Sequence, residues 1–308
     1  MTDQILSFAH AVLPENGEDC FVVLQKPECT ALCVADGCGG LGSRRYPGLK
    51  NHTGAYAASR LAVHVFRQWA ENKADRARGC ELEQALESTF RKVADRECIV
   101  QGSRIVGSMQ RRLPTTFCAA LVGKDKADFL WAGDTRAYVL DEQGLHQCTG
   151  DHLKGTPDPF ENLYRDMPLS SYVSADTPVR LSRKSLPLRA PCAVLLASDG
   201  AYGPLATPME FEMLLLDALK AASGWKDWQK KLKKACAAAA QDDATLVVCL
   251  HETGQYEAFR SRMMLRREAL QKQFITPVRR KKGNLAFARE RWQIYRQTYD
   301  WTEEESHG

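Results

Sequence analysis

Apolar and β-branched residues crowd into short runs along this chain: CFVVLQ at 20–25, TALCVAD at 30–36, TTFCAALVG at 115–123, ADFLWAGD at 127–134, RAYVLD at 136–141, CAVLLASDG at 192–200 and ATLVVCLHE at 244–252. Runs of this length and composition predict strands. A Pro-containing turn separates the first two, and Glu142-Gln143-Gly144 predicts a hairpin turn after RAYVLD. Between the second and third runs the period changes. Ala55, Ala58, Ala62, Val65, Phe66 and Trp69, then Leu82, Leu86, Phe90, Val93 and Ala94, recur at three- and four-residue intervals. That spacing predicts two helices, each laying one face on a sheet. Two further helical stretches are predicted around 207–222 and 225–240. The order of strand pair, helix pair, strands, helix pair and strand predicts an α+β fold, a four-layer α-β-β-α sandwich of two antiparallel sheets flanked by helix pairs.

Two segments break this pattern. Residues 150–190 hold many Pro, Asp and Ser residues with little periodicity, which predicts a loop-rich excursion. From about residue 253 the chain turns basic: residues 253–308 hold twelve Lys/Arg against seven Asp/Glu, in a chain whose formal net charge is only +4. Phe259, Met263 and Leu270, then Leu285, Trp292, Tyr295 and Tyr299, keep helical spacing on either side of Thr276-Pro277 and the run RRKKGN. The expected division is a main domain at 1–252 and a basic helical C-terminal extension at 253–308, whose two amphipathic segments pack on the sandwich or on another protein.

Composition narrows the class. A chain of 308 residues, 44% hydrophobic and 26% charged, suits an ordinary folded protein with a sizeable core. No apolar run approaches the ~20 residues of a membrane helix, and the N-terminus lacks the pattern of a signal peptide. A soluble, cytoplasmic protein without a membrane partner is expected. The net charge is too small to argue for nucleic acid, and RRKK at 279–282 reads as a solvated basic turn. Most of the eleven cysteines sit in apolar stretches, such as Cys33 and Cys249, and no paired zinc-ligand spacing occurs. Reduced, buried thiols are the expectation. His52, His64, His146 and His152 are scattered and read as structural or solvent-facing.

The informative pattern is where the acids fall. Asp36 ends a predicted strand and opens ADGCGG; Asp134 ends another and opens GDTRAY; Asp199 ends a third and opens SDGAYG. Asp242 directly precedes the strand TLVVCL, and Glu18 and Asp19 precede CFVV. Sheets bring strand ends together, so these carboxylates can converge although more than two hundred residues separate the outermost. Carboxylates crowded at one spot repel unless cations neutralise them. Oxygen-only ligation favours Mg²⁺ or Mn²⁺ over zinc. Two such ions ~3.5–4 Å apart activate a water and stabilise in-line displacement at phosphorus. Gly37, Gly39 and Gly40 allow close approach of backbone to metal and phosphate.

The strings GEDCFVV, VADGCGGLG, PTTFCAALV, WAGDTRAYVL, TGDH, VLLASDGAYG and DDATLVVCL stand in the order seen in metal-dependent serine/threonine phosphatases of type 2C, especially bacterial ones, and the chain resembles that family over roughly residues 5–252. The family has the sandwich read above. The resemblance implies a phosphoprotein phosphatase acting on phosphoserine and phosphothreonine, in which a metal-activated water attacks directly and no covalent phosphoenzyme forms. It implies two Mn²⁺ or Mg²⁺ ions bridged by Asp36, with the Gly37 carbonyl on one and Asp199 and Asp242 on the other. Glu18 and Asp19 match the acidic pair on the first ion's side, and Asp134 matches the aspartate associated with a weaker third ion. The implied partners are a phosphoprotein substrate and a cognate Ser/Thr kinase.

The chain departs from the family at three places. Pro14 stands where an arginine usually grips substrate phosphate, which makes Arg44 or Arg45 the candidate replacement. Cys38 takes the place of a histidine proposed as general acid in some members. Residues 150–190 differ from the usual flap. The missing arginine keeps a second expectation open: a catalytically weak or inactive phosphatase-fold module that binds or regulates.

Overall fold

The computed structural model describes residues 3–72, 79–98, 112–155, 167–281 and 283–300. Residues 156–166 of the loop-rich excursion and Lys282 of the basic run lie outside the described residues. Strands β1 (Gln4–His10), β2 (Cys20–Gln25) and β3 (Thr30–Ala35) come first, then one turn of helix, α1 (Gly39–Gly42), and a small ribbon of β4 (Arg45–Tyr46) and β5 (His52–Thr53). Helices α2 (Gly54–Asn72) and α3 (Gly79–Cys98) follow, then β6 (Phe117–Val122), β7 (Lys126–Ala132), β8 (Arg136–Asp141), β9 (Gly144–Gln147), β10 (Ser182–Pro187) and β11 (Cys192–Ala197). Helices α4 (Asp199–Tyr202), α5 (Pro208–Ala221) and α6 (Trp225–Ala239) lead to β12 (Ala244–His251). Beyond it come α7 (Tyr256–Leu270), a π-helical turn (Gln271–Ile275), α8 (Thr276–Arg280) and α9 (Leu285–Tyr299).

The strands form two five-stranded sheets, ordered β1-β12-β11-β8-β9 and β10-β7-β6-β3-β2. All their pairings are antiparallel. Central strands are buried on both faces, which is why β3, β6, β11 and β12 read as continuous apolar runs. Leu32, Val34, Cys118, Phe129, Val139, Val194, Leu196 and Val247 fill the space between the sheets. The outer face of the β2–β3 sheet buries Ala58, Ala62, Phe66, Leu82, Leu86 and Phe90 from α2 and α3. The outer face of the other sheet buries Phe211, Leu215, Trp228 and Leu232 from α5 and α6. The expected α-β-β-α order is therefore the one observed.

Local chemistry sets the boundaries. The Thr207 hydroxyl caps α5 by accepting from Glu210 N at 3.3 Å, and Pro208 occupies the first helical position. The Glu142-Gln143 turn closes β8 onto β9, with Asp141 Oδ1 accepting from Gln143 N (2.8 Å) and Gly144 N (3.2 Å).

Two strands escape the pattern reading. β10 lies inside the segment expected to be loops, and as an edge strand, SRKSLP, it turns polar residues outward and buries only Leu186. β1 is the edge of the other sheet; Leu6 and Phe8 alone bury on its helix-covered face.

The extension packs on the sandwich. Phe259, Met263, Leu270, Trp292, Tyr295 and Tyr299 join the same apolar cluster as α5 and α6. Leu285, counted in the apolar stripe, is instead 47% exposed, because it opens α9 a full turn before that helix meets its neighbours. A buried ionic knot ties the layers: Arg266 donates to both oxygens of Glu212 at 2.6 and 2.9 Å, and Tyr295 Oη donates to the same carboxylate at 2.7 Å. No helix among the described residues is long and apolar enough to cross a membrane.

The far end of α9 is held by His146. Its Nε2 faces Asp141 Oδ1 at 3.0 Å and its Nδ1 faces the Thr298 carbonyl at 2.5 Å. Two acceptors on one ring favour the doubly protonated imidazolium. Burial opposes that charge, but the Asp141 carboxylate and the Thr298 carbonyl prevail and raise the His146 pKa above 6.5, while His146 lowers that of Asp141 below 3.8 despite burial. The raised histidine stabilises the fold fully below pH ~6.5 and loses that contribution as pH climbs through its folded pKa; the lowered aspartate stabilises above ~3.8 and fails as pH falls through its folded pKa. The stability advantage of wild type over His146→Gln, measured as melting temperature against pH, is expected to be largest between about pH 4 and 6.5 and to shrink by a few degrees above it. An advantage that grows from pH 6.5 to 9 contradicts this assignment.

Candidate active site

Register brings the acids to one end of the molecule. Cys20 pairs with Ala35, so Asp19 and Asp36 lie side by side where β2 begins and β3 ends. In the facing sheet, Ala197 pairs with both Leu246 and Arg136. That pairing sets Asp199, just past β11, near Asp242, just before β12, and near Asp134, just before β8. β7 ends at the same edge, since Ala132 pairs with Phe117.

The backbone around Asp36 is held from several sides. Its carbonyl accepts from Thr116 N (2.8 Å) and Thr115 Oγ1 (2.7 Å), and its N–H donates to Thr116 Oγ1 at 3.1 Å. Gly37 then passes so close to α2 that a Cβ would sit 2.5 Å from the Ala55 carbonyl oxygen. Only glycine permits that path. On the other sheet, Ser198 Oγ donates to Asp19 Oδ2 at 2.7 Å and accepts from Thr245 N at 2.8 Å. One hydroxyl thereby links Asp19 to both strands beside Asp199 and Asp242.

Four of the sequence-derived acids share one electrostatic environment. Burial first, then the charges of Asp19 and Asp199, push the Asp36 carboxyl far above its usual range, and Asp36 and Asp199 hydrogen-bond to each other. Burial raises Asp19 to about 7, with the Asp199 and Asp243 charges adding to the rise and the Ser198 hydroxyl opposing it. Burial and the Asp199 charge raise Asp134 to about 7, against the Arg136 charge. Glu18 stands at the rim: burial raises its pKa, the Thr53 hydroxyl that donates to it lowers it, and Asp243, Asp242 and Arg45 all bear on it. Asp242 is exposed, and its Oδ1 accepts from Asp243 N at 2.7 Å.

Among the described residues, no three His, Cys, Asp or Glu side chains stand in a metal-ligating array. The donor set nevertheless fits a hard divalent cation. It is all carboxylate, its members repel one another, and Asp19 Oδ1 is buried with no hydrogen-bond partner.

Asp243 and Arg136 are contributors that the sequence reading missed. Asp243 accepts from Val12 N (2.8 Å) and Glu18 N (2.5 Å), tying down the loop that delivers Glu18 and Asp19. Arg136 grips Asp151 through Nε (2.8 Å) and Nη2 (2.6 Å) and stacks on Tyr202, its guanidinium 3.9 Å from the ring centroid; Tyr202 Oη donates to the Asp134 carbonyl at 2.6 Å. The signals were present as the doubled acid in QDDAT, the arginine in GDTRAY and the aspartate in TGDH.

The remaining candidates divide. The Arg45 charge reaches Glu18, while Nη1 donates to the Asn51 carbonyl at 2.8 Å. Arg44 lies over the Tyr46 ring, 5.4 Å from its centroid. His152 is structural: Nδ1 accepts from Gly133 N at 3.2 Å and Nε2 lies 2.9 Å from Ser182 Oγ. The Cys38 thiol is pushed well up by burial and by the Asp134 and Asp199 charges.

Two antiparallel sheets thus stand between helical layers, with acids gathered at their common end. A family profile described as Protein phosphatase 2C matches residues 9–256, and the chain belongs to that family of enzymes. A search of curated proteins returned no match. Among solved structures, the chain is similar to the Mycobacterium tuberculosis serine/threonine phosphatase PstP/Ppp at 20% identity and a TM-score of 0.60, covering 82% of this chain and 100% of that one. It is similar to the catalytic domain of PstP in complex with two manganese ions at 19% identity and a TM-score of 0.56, covering 80% and 97%. Stp1 from Staphylococcus aureus matches at 18% identity and a TM-score of 0.60, covering 80% and 95%.

Gly200, the second residue of α4, is packed so that a Cβ would run into the Asp243 carbonyl. Gly200→Ala is expected to lower stability by about 1–3 kcal/mol in urea unfolding, because backbone, not a pliable side chain, must shift. An unchanged midpoint contradicts the packing described.

Proposed function

We propose that this chain is a metal-dependent phosphoprotein phosphatase that hydrolyses phosphoserine and phosphothreonine using two divalent ions, Mn²⁺ or Mg²⁺. One observation supports it above the others: four aspartates gather from four strand ends, Asp19 buried and the other three half-buried, and three of them, Asp19, Asp36 and Asp134, are pushed toward protonation by burial and by neighbouring charge. Asp199 enters that group as the charge that raises the other three. Such a cluster is costly to a fold unless cations occupy it. The similar PstP catalytic domain was solved with two manganese ions.

In this reading Asp36, the Gly37 carbonyl and the Glu18–Asp19 pair would hold one ion, Asp36, Asp199 and Asp242 would hold the other, and Asp134 would hold a weaker third. Bound ions supply charge neutralisation and a water acidic enough to attack phosphorus. The rest falls to the chain's own groups. Thr115 and Thr116 fix the Asp36 backbone, Ser198 holds Asp19, and Asp243 holds the loop carrying Glu18. Cys38 remains a neutral thiol and is a poor proton donor, so it does not replace the histidine of other members. Arg44 or Arg45 would meet the substrate phosphate in the role vacated at Pro14, and the effect of the Arg45 charge on Glu18 at the rim favours Arg45.

The catalytic unit in this reading is residues 1–252, followed by the extension at 253–308. The partners are a phosphoprotein and the Ser/Thr kinase that produces it. A reducing cytoplasm suits ten of the eleven cysteines, which are free thiols in the structure. An inert regulatory module would have no use for so much buried negative charge.

Hydrolysis of a phosphopeptide is expected to vanish in excess chelator and return with Mn²⁺, and Asp36→Asn is expected to lower kcat by at least ~10²-fold, a barrier increase of about 3 kcal/mol. Full activity in chelator would reject the mechanism. Arg45→Glu is expected to raise KM for the phosphopeptide by about tenfold with a smaller change in kcat, as loss of a ground-state contact predicts. An unchanged KM removes Arg45 from the site.

A further inference from the structure

The family match ends at residue 256, but the chain runs on through α7, α8 and α9, and the last turn of α9 packs against β8, the strand that follows Asp134. Tyr299, 2% exposed, packs its ring against Tyr138 (centroids 6.3 Å apart), held there by Trp292 and Tyr295, each 5.4 Å away. Tyr138 is completely buried on β8, and its hydroxyl lies 3.4 Å from Arg136 Nη1. Arg136 is the residue that grips Asp151 and stacks on Tyr202, and Tyr202 donates to the Asp134 carbonyl. The chain of contacts is therefore Tyr299, Tyr138, Arg136, Tyr202, Asp134. Two further ties fix the end of α9 to β9, the neighbour of β8: His146 on the Thr298 carbonyl, and a parallel bridge between Gln147 and Asp300.

We propose that the C-terminal extension is a positioning element for the active site, in which Tyr299 holds the Tyr138 ring and thereby the Arg136–Asp151–Tyr202 group that sets Asp134. This inference rests on the functional reading above, because it assigns the extension a role through one of the proposed metal-binding carboxylates. Position along the chain distinguishes the two: Asp134 lies inside the segment matched to the family, Tyr299 beyond it. Contacts that change the geometry of a carboxylate change its affinity for a cation, as supporting residues around metal ligands do, typically by 10–100-fold.

The test is a double-mutant cycle. Tyr299→Ala is combined with Asp134→Asn, and Tyr138→Phe serves as a second, milder probe of the same link should Tyr299→Ala fail to fold. Each full-length protein is titrated with Mn²⁺ by calorimetry, its phosphopeptide hydrolysis is followed against Mn²⁺ concentration, and its melting temperature is recorded. The expected result is a rise of about 3- to 10-fold in the half-saturating Mn²⁺ concentration for Tyr299→Ala, a smaller rise for Tyr138→Phe, and no additional change when either is placed on Asp134→Asn. Melting temperatures that fall equally in both backgrounds, with Mn²⁺ binding untouched, would overturn the proposal and leave the extension a packing element. The same holds for an effect on Mn²⁺ binding that persists undiminished beside Asp134→Asn. A wild type that binds Mn²⁺ but hydrolyses no phosphopeptide overturns the functional reading, while the calorimetric cycle still decides this one; absence of Mn²⁺ binding in the wild type overturns both.

Discussion

Like charge held away from water is the constraint around which this molecule is organised. Asp19, Asp36, Asp134 and Asp199 come from four strand ends, on two sheets, into a space that water only partly reaches. Burial and mutual repulsion hold Asp19, Asp36 and Asp134 above their ordinary range, with Asp199 among the charges that raise them. Asp36 and Asp199 relieve part of the repulsion by sharing a hydrogen bond. Asp19 Oδ1 finds no partner. Cations would offset the cost of such an arrangement, which makes the cluster a sign of function rather than of stability.

The surroundings of the acids are more finely built than the acids themselves. Ser198 connects Asp19 to the strand edge beside Asp199, Thr116 holds the Asp36 backbone, and Asp243 gathers the loop before β2. Each of these groups presents hydrogen-bond partners to backbone or carboxylate, so the acids are held by the strand ends and by a loop that is itself tied to them. Arg136 acts on Asp134 at one remove, stacking on Tyr202, whose hydroxyl donates to the Asp134 carbonyl, and through Tyr138 its contacts extend to residues beyond the segment matched to the family. Glu212, with Arg266 and Tyr295, anchors the same extension further back. The extension is thus bound to the sandwich by a buried charge pair, by aromatic packing and by a histidine clamp.

Much of the fold was legible because the strands and helices are strongly patterned. The central strands are apolar throughout, α2 and α3 keep strict helical spacing, and Gly144 follows a turn that its neighbours favour. The edges were not. β10 carries Ser, Arg and Lys because one face meets water, and β1 buries only alternate residues, so neither has the unbroken run that marks a central strand. At the site, acids at strand termini could be picked out because a sheet has only two ends. Asp243 and Arg136 could not, since a second acid beside Asp242 and an arginine two residues after Asp134 acquire meaning only when the folded backbone brings Val12, Glu18, Asp151 and Tyr202 to them.

The most direct test of the central claim is an anomalous-diffraction map from crystals of the full-length protein soaked in Mn²⁺. The account predicts two strong peaks between the Asp36, Asp199 and Asp19 carboxylates, with Asp36 touching both, and their loss in Asp36→Asn crystals. Peaks confined to other parts of the surface, or a cluster that stays metal-free while its carboxyls remain hydrogen-bonded to one another, would contradict it.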